Sequence, residues 1–388
     1  MSDLMTHDLL AQPAHPFVAA LLGGIVLGSA VAFRMYAVGG ILGISGLTGG
    51  LVKGKHAELE RIAFFGGLLT GGVLGFGIVP GHLRPFADTY SIYRALLAGS
   101  AVGFGTGLGS GCTSGHGIGG LSRFSPRSAV AVATFMLTGA VSASLASSAA
   151  ATVQATPLGA VPTWGAVLTG TAIGLSILLF NTVLARFAGK RDGMIHALDP
   201  TDPVGRQLAL DAKMLRERQL GVVRVTVEFL TAVAFGLGLC VSSMSDPYKV
   251  ASFLDLTGIG TNTWDASLAF VMGGALLVAT PIFQFIVRQK LERCGLRTAV
   301  EREQVEACDC CAPLVSTYDI PAVHTTWKDK KLIVGSAIFG LGWGAGGICP
   351  GPGIVSITGV GAGHGSVVVI GAWLITFFLG QYLRFVAA

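Results

Sequence analysis

Long apolar runs constrain this chain more than any other feature of its sequence. Runs bounded by charged residues, Pro or Gly predict nine long helices with hardly a charge inside them. At 1.5 Å per residue, each is long enough to cross a hydrocarbon core of about 30 Å. We therefore expect an all-α integral membrane protein. The predicted spans are 17–33, 60–80, 91–109, 126–150, 163–187, 220–242, 265–287, 331–348 and 366–386.

The composition agrees with a chain that lies mostly in lipid. Hydrophobic residues make up 52% of the 388 positions, charged residues only 12%, and 57 residues are Gly. Abundant Gly is typical of closely packed membrane helices. The net charge of +5 needs no nucleic acid partner, because excess Lys and Arg fix the orientation of membrane proteins. The segment Met1–Pro16 lacks the basic start of a signal peptide.

Four apolar pieces interrupted by Gly or Pro lie between the predicted spans and are too short to cross. We interpret them as half-helices that re-enter the membrane; four surface loops with local helix are the alternative. Irregular backbone at membrane depth is tolerated only where it is buried in protein or lines a watery cavity, so four breaks predict a central pathway. The pieces are Ala37–Leu51, Thr113–Leu121, Pro247–Leu256 and Pro350–Val360.

The distribution of basic residues predicts the orientation of the chain. Connections on one side have few basic residues beyond Arg84, Arg94 and Lys249. Because basic loops stay in the cytoplasm, we place the N-terminus outside and the C-terminus inside the cell membrane. The first two short pieces then lie on the cytoplasmic side and the last two on the outer side. The basic connections fall within 34–61, 123–127, 186–218 and 288–331.

An internal repeat surrounds two cysteines. The string GTGLGSGCTSGHGI, which contains Cys112, aligns with GWGAGGICPGPGI, which contains Cys349, and three glycines match as well. A single connecting helix between two halves of four spans each gives the second half the opposite orientation in the membrane. This plan is typical of secondary transporters and channels. We predict a first inverted repeat at 1–160, a connecting span and basic loop at 161–219, and a second repeat at 220–388. The second repeat includes a cytoplasmic loop at 288–330.

The residues at these breaks are suited to an anion. A helix N-terminus presents unpaired N–H groups and about half a positive charge. Thr113 and Ser114 are good caps, Gly111 allows close approach of a ligand, and Pro350 with Gly351 suits a first helical turn. Helix starts of this kind bind anions when they face a pathway.

Thiols at both breaks indicate which type of anion the site would bind. Cys112 and Cys349 would present polarizable, weakly hydrogen-bonding groups, which suit a sulfur-bearing anion better than phosphate. The alternative is that each thiol is a small apolar group in a helix crossing. Cys240 is either a further pathway thiol or a packing residue, and His116 either donates to a ligand or caps its own turn.

Charged residues within or beside the spans have structural interpretations. Glu228 lies in an apolar span, and Arg224 one turn earlier predicts a structural ion pair; a proton relay is the alternative. Asp265 is interpreted as an anchor at the end of a span. Asp246 and Pro247 are typical of a helix cap and first position.

Three cysteines in the string EACDCCAP are interpreted as reduced, unliganded cytoplasmic thiols. They are Cys308, Cys310 and Cys311, and a metal or sulfur-relay role would draw on Cys294 and His324. The seven cysteines form no regular disulfide framework, and no haem or flavin signature is present. We predict no metal, no cofactor and no catalytic residue.

Four strings give the chain a family resemblance that extends over nearly its whole length. It resembles the YeeE/YedE family of sulfur-transport membrane proteins, whose studied members take up thiosulfate. The resemblance implies an hourglass-shaped permease whose inward-pointing short helices present cysteines that relay thiosulfate through transient thiol hydrogen bonds. The strings are GSGCTSGHGIGGLSRFSPRS (Gly109–Ser128), MSDPYKVASFLDLTG (Met244–Gly258), WDASLAFVMGGAL (Trp264–Leu277) and GAGGICPGPGI (Gly344–Ile354).

The resemblance carries over to this chain residue by residue. Cys112 and Cys349 match pathway cysteines, whereas 29–51 contains no cysteine where the family has one; Cys240 is at the repeat-related place. We expect a permease for thiosulfate or a closely related sulfur-containing ion. Its partners would be the lipid bilayer and a cytoplasmic sulfur-acceptor protein. Transport of another sulfur or selenium species, or membrane thiol oxidoreduction, are the alternatives. The predicted solute-binding residues are Gly111, Cys112, Thr113, Ser114, His116, Cys240, Cys349, Pro350 and Gly351.

Overall fold

Helices build nearly all of the described chain. The computed structural model describes residues 12–53, 58–79, 90–149, 162–189, 203–260, 263–293, 314, 320, 329–359 and 364–387. The helices are α1 (Pro16–Ala37), α2 (Ile44–Val52), α3 (Glu58–Ile78), α4 (Ile92–Gly109), α5 (Thr113–Gly120), α6 (Pro126–Ala149), α7 (Trp164–Gly189), α8 (Pro203–Val241), α9 (Pro247–Leu254), α10 (Ser267–Ile282), α11 (Arg288–Arg293), α12 (Lys330–Gly346), α13 (Pro350–Ser356) and α14 (His364–Val386). The α5 segment is π-helical, and a π-helical turn at Phe283–Val287 joins α10 to α11.

The long helices confirm the predicted all-α membrane fold. Within the described ranges, eight helices are long and apolar enough to cross a membrane. The number rises to nine when α4 and α5, which meet at a bend of 43°, are taken as one span. Each of the nine predicted spans overlaps one long helix, and α2, α5, α9 and α13 coincide with the four predicted short pieces.

Glycines let the long helices approach backbone to backbone. A Cβ added at Gly28 of α1 would collide with the Ala275 carbonyl of α10, and one at Gly71 of α3 would collide with the Val233 carbonyl of α8. Packing through such small residues is how membrane helices associate where lipid provides no hydrophobic drive between them. The Gly-rich composition therefore serves the helix crossings.

The helix contacts come in matched pairs. Helix α1 packs on α10 as α8 packs on α3, and α4 packs on α14 as α12 packs on α6. Helices α1 and α8 pack on each other, and so do α4 and α12. Two repeats related by a two-fold axis would produce this pattern. We keep the division at 1–160, 161–219 and 220–388, and the opposite orientation of the halves, as a proposal.

The predicted pair of Arg224 with Glu228 is wrong. Arg34 at the end of α1 binds Glu228 instead, with its Nε 3.0 Å from both carboxylate oxygens and its Nη2 2.8 Å from Oε1. Arg224 approaches Glu60 of α3, at 3.5 Å. Arg224 is closer to Glu228 in sequence but does not pair with it. Because α1 packs directly on α8, the Arg34 guanidinium can bind the Glu228 carboxylate with two donors.

Candidate functional site

The short helices begin close to one another. The Ile44 N–H at the start of α2 lies 3.3 Å from Ser114 Oγ of α5, to which it donates. Thr113 Oγ1 donates to Cys349 Sγ, immediately before α13, at 3.5 Å. A Cβ added at Gly351 would lie 2.5 Å from Ile44 Cδ1. The N-termini of α2, α5 and α13 therefore meet at a single place inside the helix bundle.

The breaks before α5 and α13 have the same backbone design. The residues that follow α4 and α12, Ser110 and Gly347, are both in the left-handed conformation, with φ of 59° and 69°. An extended cysteine follows two residues later and directly precedes the next helix, Cys112 before α5 and Cys349 before α13. Left-handed residues stop a helix because they satisfy its last carbonyls while turning the chain. The sequence repeat therefore corresponds to a repeated local structure.

A cavity of about 310 Å³ lies where these helices begin. Cys112, Thr113 and Ser114 of the first break line it, together with Pro350 and Gly351 of the second. Among the described residues, no Lys, Arg, Asp or Glu is part of the wall. Most of the remaining lining is apolar, including Leu27, Phe135, Phe235, Val271 and three methionines, Met136, Met244 and Met272.

Hydroxyls surround the two thiols. Cys112 Sγ lies 3.3 Å from Ser114 Oγ, and Cys349 Sγ accepts from Thr113 as described above. Both cysteines are 1% exposed. Cys112 is part of the cavity wall, whereas Cys349 lies behind Thr113 and is not among the lining residues. Two adjacent hydroxyls of α5 thus each contact one of the thiols, Ser114 that of Cys112 and Thr113 that of Cys349.

His116 stabilises the break before α5 by hydrogen bonds, and Gly111 leaves room for its imidazole ring. Both imidazole nitrogens of His116 have partners within the chain: Nδ1 with Ser128 Oγ, and Nε2 with the Gly109 carbonyl, each at 3.1 Å. A Cβ added at Gly111 would collide with the imidazole ring. Neither residue lines the cavity. Of the two roles that the sequence left open for His116, the contacts favour capping.

Cys240 occupies a helix crossing. It is fully buried in α8, and a Cβ added at Gly75 of α3 would collide with its sulfur. It is not among the residues that line the cavity. We infer that Cys240 is a packing residue, the second of the two interpretations of this thiol.

Other predicted residues have structural roles or lie beyond the described chain. Asp246 Oδ1 accepts from the Tyr248 N–H at 3.0 Å and caps α9, as expected. Asp265 Oδ1 accepts from the Ser267 N–H at 2.8 Å and anchors the start of α10. The predicted loop thiols and their helpers fall outside the described residues: Cys294, Cys308, Cys310, Cys311 and His324.

Sequence reasoning missed several residues that shape the site. Trp343 lines the cavity, although only its position in the repeated GWGAGG string could have drawn attention to it. The three methionines come from different parts of the chain and no local pattern joins them. Tyr90 Oη donates to the Gly346 carbonyl at 2.8 Å and holds the end of α12 before Cys349.

Comparison with known proteins gives the family. A model of a family of unknown function (DUF6691) matches residues 223–308 and 312–387. A "Probable transporter" of Xylella fastidiosa strain Temecula1 is 35% identical over 141 residues, which are 36% of this chain and 78% of that protein. A second "Probable transporter" of that strain is 40% identical over 123 residues, 32% of this chain and 90% of the relative. The chain belongs to the same family as these probable transporters. No solved structure matches it.

Family membership and the fold agree with each other. The relatives are named as transporters, and the described chain has at least eight helices that can cross a membrane. The chain is therefore a multi-pass membrane protein of a transporter family. The cavity at the helix breaks is the candidate solute site of this family member.

Proposed function

We propose that the chain is a permease for thiosulfate or a closely related sulfur-containing ion. The solute would pass the place where the short helices begin. One observation carries the proposal: Thr113 of the first break donates to Cys349 of the second at 3.5 Å, beside a cavity lined by Cys112. Cys112 of the first break thus lines the cavity, and Cys349 of the second break contacts the lining residue Thr113.

The chemistry of the wall supports a soft anion. An anion that enters loses hydration, and fixed dipoles and hydrogen-bond donors must replace that water. Helix N-termini, the Ser114 hydroxyl and the Cys112 thiol supply such groups without a fixed counter-charge. A conducting site has to release what it binds, and weak donors meet that requirement better than Lys or Arg.

The inverted-repeat architecture and membership in the YeeE/YedE family are parts of the same proposal. The matched helix contacts support two structurally related halves, and the left-handed residues Ser110 and Gly347 support related breaks. In transporters of this plan, the solute site lies at the interface of the halves. The cavity is lined by residues of α1, α2, α5, α6, α8, α9, α10, α12 and α13, which come from both proposed halves, and this supports a solute site between them.

Uptake by reconstituted protein tests the proposal. The purified full chain in liposomes should take up labelled thiosulfate, and Cys112→Ala or Cys349→Ala should lower the rate by about tenfold or more, because the first removes a thiol of the cavity wall and the second removes the acceptor that holds the Thr113 hydroxyl in that wall. Ser replacements should restore little if the sulfur atom matters.

Cys240→Ala is the matched control. It removes an equally buried thiol that does not line the cavity and, unlike Cys349, accepts no hydrogen bond from Thr113, so we expect near-parental uptake. Parental rates in both Cys112→Ala and Cys349→Ala would show that these cysteines only pack. Absence of thiosulfate uptake by the unmodified protein, with uptake of another sulfur or selenium anion, would replace the substrate and leave the permease intact.

A further inference from the structure

The cavity opens to the surface of the protein between α6 and α10. Its lining residues on α1, α8 and α12 are buried, with Leu27 1% exposed and Phe235 and Trp343 each 2% exposed. Four of its lining residues on α6 and α10 are accessible instead, Ala269 largely and the other three partly. Exposure therefore rises from the centre of the bundle towards these two helices. The four residues, which we call the α6–α10 mouth, are Val132, Met136, Ala269 and Met272.

The packing of the helices explains this opening. Helix α6 packs on α5, α9 and α12, and α10 packs on α1, α5 and α9. Along their described lengths, α6 and α10 lack the extensive packing that joins the other neighbouring long helices. The gap between them is bounded by α5 and α9, each of which contacts both helices. Leu121, directly after α5, and Phe253 of α9 also line the cavity and are partly exposed, as residues at the edge of a gap would be.

The mouth lies at the depth of the lipid hydrocarbon. Leu27 is at the middle of α1, and Met136 is near the middle of α6, so the cavity is close to the centre of both membrane-crossing helices. The next residue of each mouth helix is a large exposed apolar side chain, Leu137 at 70% and Phe270 at 41% exposure. Such residues at this depth contact lipid chains. The mouth therefore opens towards hydrocarbon rather than water.

The chemistry of the mouth favours the same occupant. None of its four side chains has an N–H or O–H group, and the polar residues Cys112 and Ser114 belong to the buried part of the wall. Water needs several polar partners to occupy a cavity stably. An empty space would leave the lining atoms without dispersion contacts on one side. A hydrocarbon chain supplies those contacts and needs no hydrogen bond.

We propose that the acyl chain of a membrane lipid enters through the α6–α10 mouth and occupies the apolar part of the cavity. The proposal goes beyond the function proposed above and depends only on the fold, so it holds for any solute. A chain in the mouth closes the side of the cavity towards the bilayer. The thiol and hydroxyl groups at the break before α5 are then separated from bulk lipid by a bound lipid.

A photoreactive lipid tests the proposal on the full chain. The probe is a phosphatidylcholine with a diazirine at the end of one acyl chain, mixed into vesicles of phosphatidylethanolamine and phosphatidylglycerol that contain the protein. After irradiation, mass spectrometry of peptides locates the adducts. We expect adducts at Leu27 and Phe235, which lipid outside the cavity cannot reach, as well as at Leu137. Leu137 is exposed and serves as the internal standard for contact with bulk lipid.

Matched phenylalanine variants test the route of entry. Ala269→Phe and Val132→Phe each place a ring at the mouth, and we expect both to lose the adducts at Leu27 and Phe235 while the adduct at Leu137 remains. Ala133→Phe is the control, because Ala133 is an exposed residue of α6 that does not line the cavity. It adds the same ring and should keep all three adducts. Two separate mouth variants keep the test available if one of them does not fold.

Three results would overturn the proposal. Adducts at Leu137 alone in the parent protein would show that lipid stays outside the cavity. Adducts at Leu27 and Phe235 that persist in both mouth variants would exclude entry between α6 and α10. Absence of adducts at Leu137 as well as at the buried residues would show that another protein surface, such as a second copy of the chain, covers the gap.

Discussion

At the scale of single residues, the buried charges show how a polar group is tolerated inside this bundle. Glu228 is 2% exposed and would be costly without a partner. Arg34 binds both of its oxygens and also donates from Nη1 to the Ile41 carbonyl at 2.6 Å. This arginine therefore joins α8 to the segment that precedes α2. The ion pair fixes the position of a short helix as well as a helix crossing.

We predict that Glu228→Ala destabilises the protein strongly. The change leaves the Arg34 guanidinium buried without its carboxylate, which typically costs about 3–5 kcal/mol. Arg224→Ala breaks a longer, partly exposed pair with Glu60 and should cost about 1 kcal/mol or less. Thermal unfolding of the purified proteins in detergent compares them. Equal shifts in Tm would contradict a special role for the Arg34 pair.

At the scale of elements, the breaks before α5 and α13 are built to hold short helices at fixed places. Each preceding helix is followed by a left-handed residue, and each final carbonyl accepts from a ring-bearing side chain: Gly109 from His116, and Gly346 from Tyr90. For the first of these bonds, His116 acts as donor through Nε2. Such hydrogen bonds satisfy carbonyls that water cannot reach inside a membrane. The elements at the site are thus fixed before a solute arrives.

His116→Ala should therefore act on stability more than on solute binding. It removes two buried hydrogen bonds, and we expect a loss of about 1–3 kcal/mol with KM for thiosulfate close to the parental value. Thr113→Val is the contrasting change, because Thr113 lines the cavity and donates to Cys349, and it should raise KM with little loss of Tm. A raised KM for His116→Ala at normal stability would restore the interpretation of His116 as a ligand donor.

At the scale of the whole molecule, the helix contacts are those that the two halves proposed above would make. Helix α10 of the second half covers α1 of the first, and α3 of the first covers α8 of the second. One core cluster contains residues from both proposed halves, such as Leu27 and Phe235. The halves are therefore expected to unfold together, and a solute site at their interface can change when one half moves against the other.

The orientation of this assembly in the membrane leads to a prediction. The basic segments 188–219 and 288–330 should face the cytoplasm, with the N-terminus outside, because basic loops are retained on that side. Single cysteines introduced in these loops should react with a membrane-impermeant maleimide only in inside-out vesicles. A cysteine introduced near Arg84 should react in intact cells and is the control. Reaction of the 288–330 loop in intact cells would reverse the topology.

Sequence alone determined the features that depend on neighbouring residues. Length and hydropathy predicted nine spans, and Gly, Pro and capping residues predicted the four short helices, because a membrane requires each span to satisfy its own backbone. The repeat around Cys112 and Cys349 predicted two related breaks, and each cysteine is the residue directly before a short helix.

Only the tertiary structure decided which faces of these helices meet. It paired Glu228 with Arg34, 194 residues away, rather than with Arg224 on its own helix. It packed Cys240 against Gly75 and brought Trp343 to the wall that contains Cys112. The membrane helices of this chain are apolar on every face, so hydropathy cannot distinguish a lipid-facing residue from a core residue. Close contacts between small residues make that distinction, and they exist only once the helices have packed.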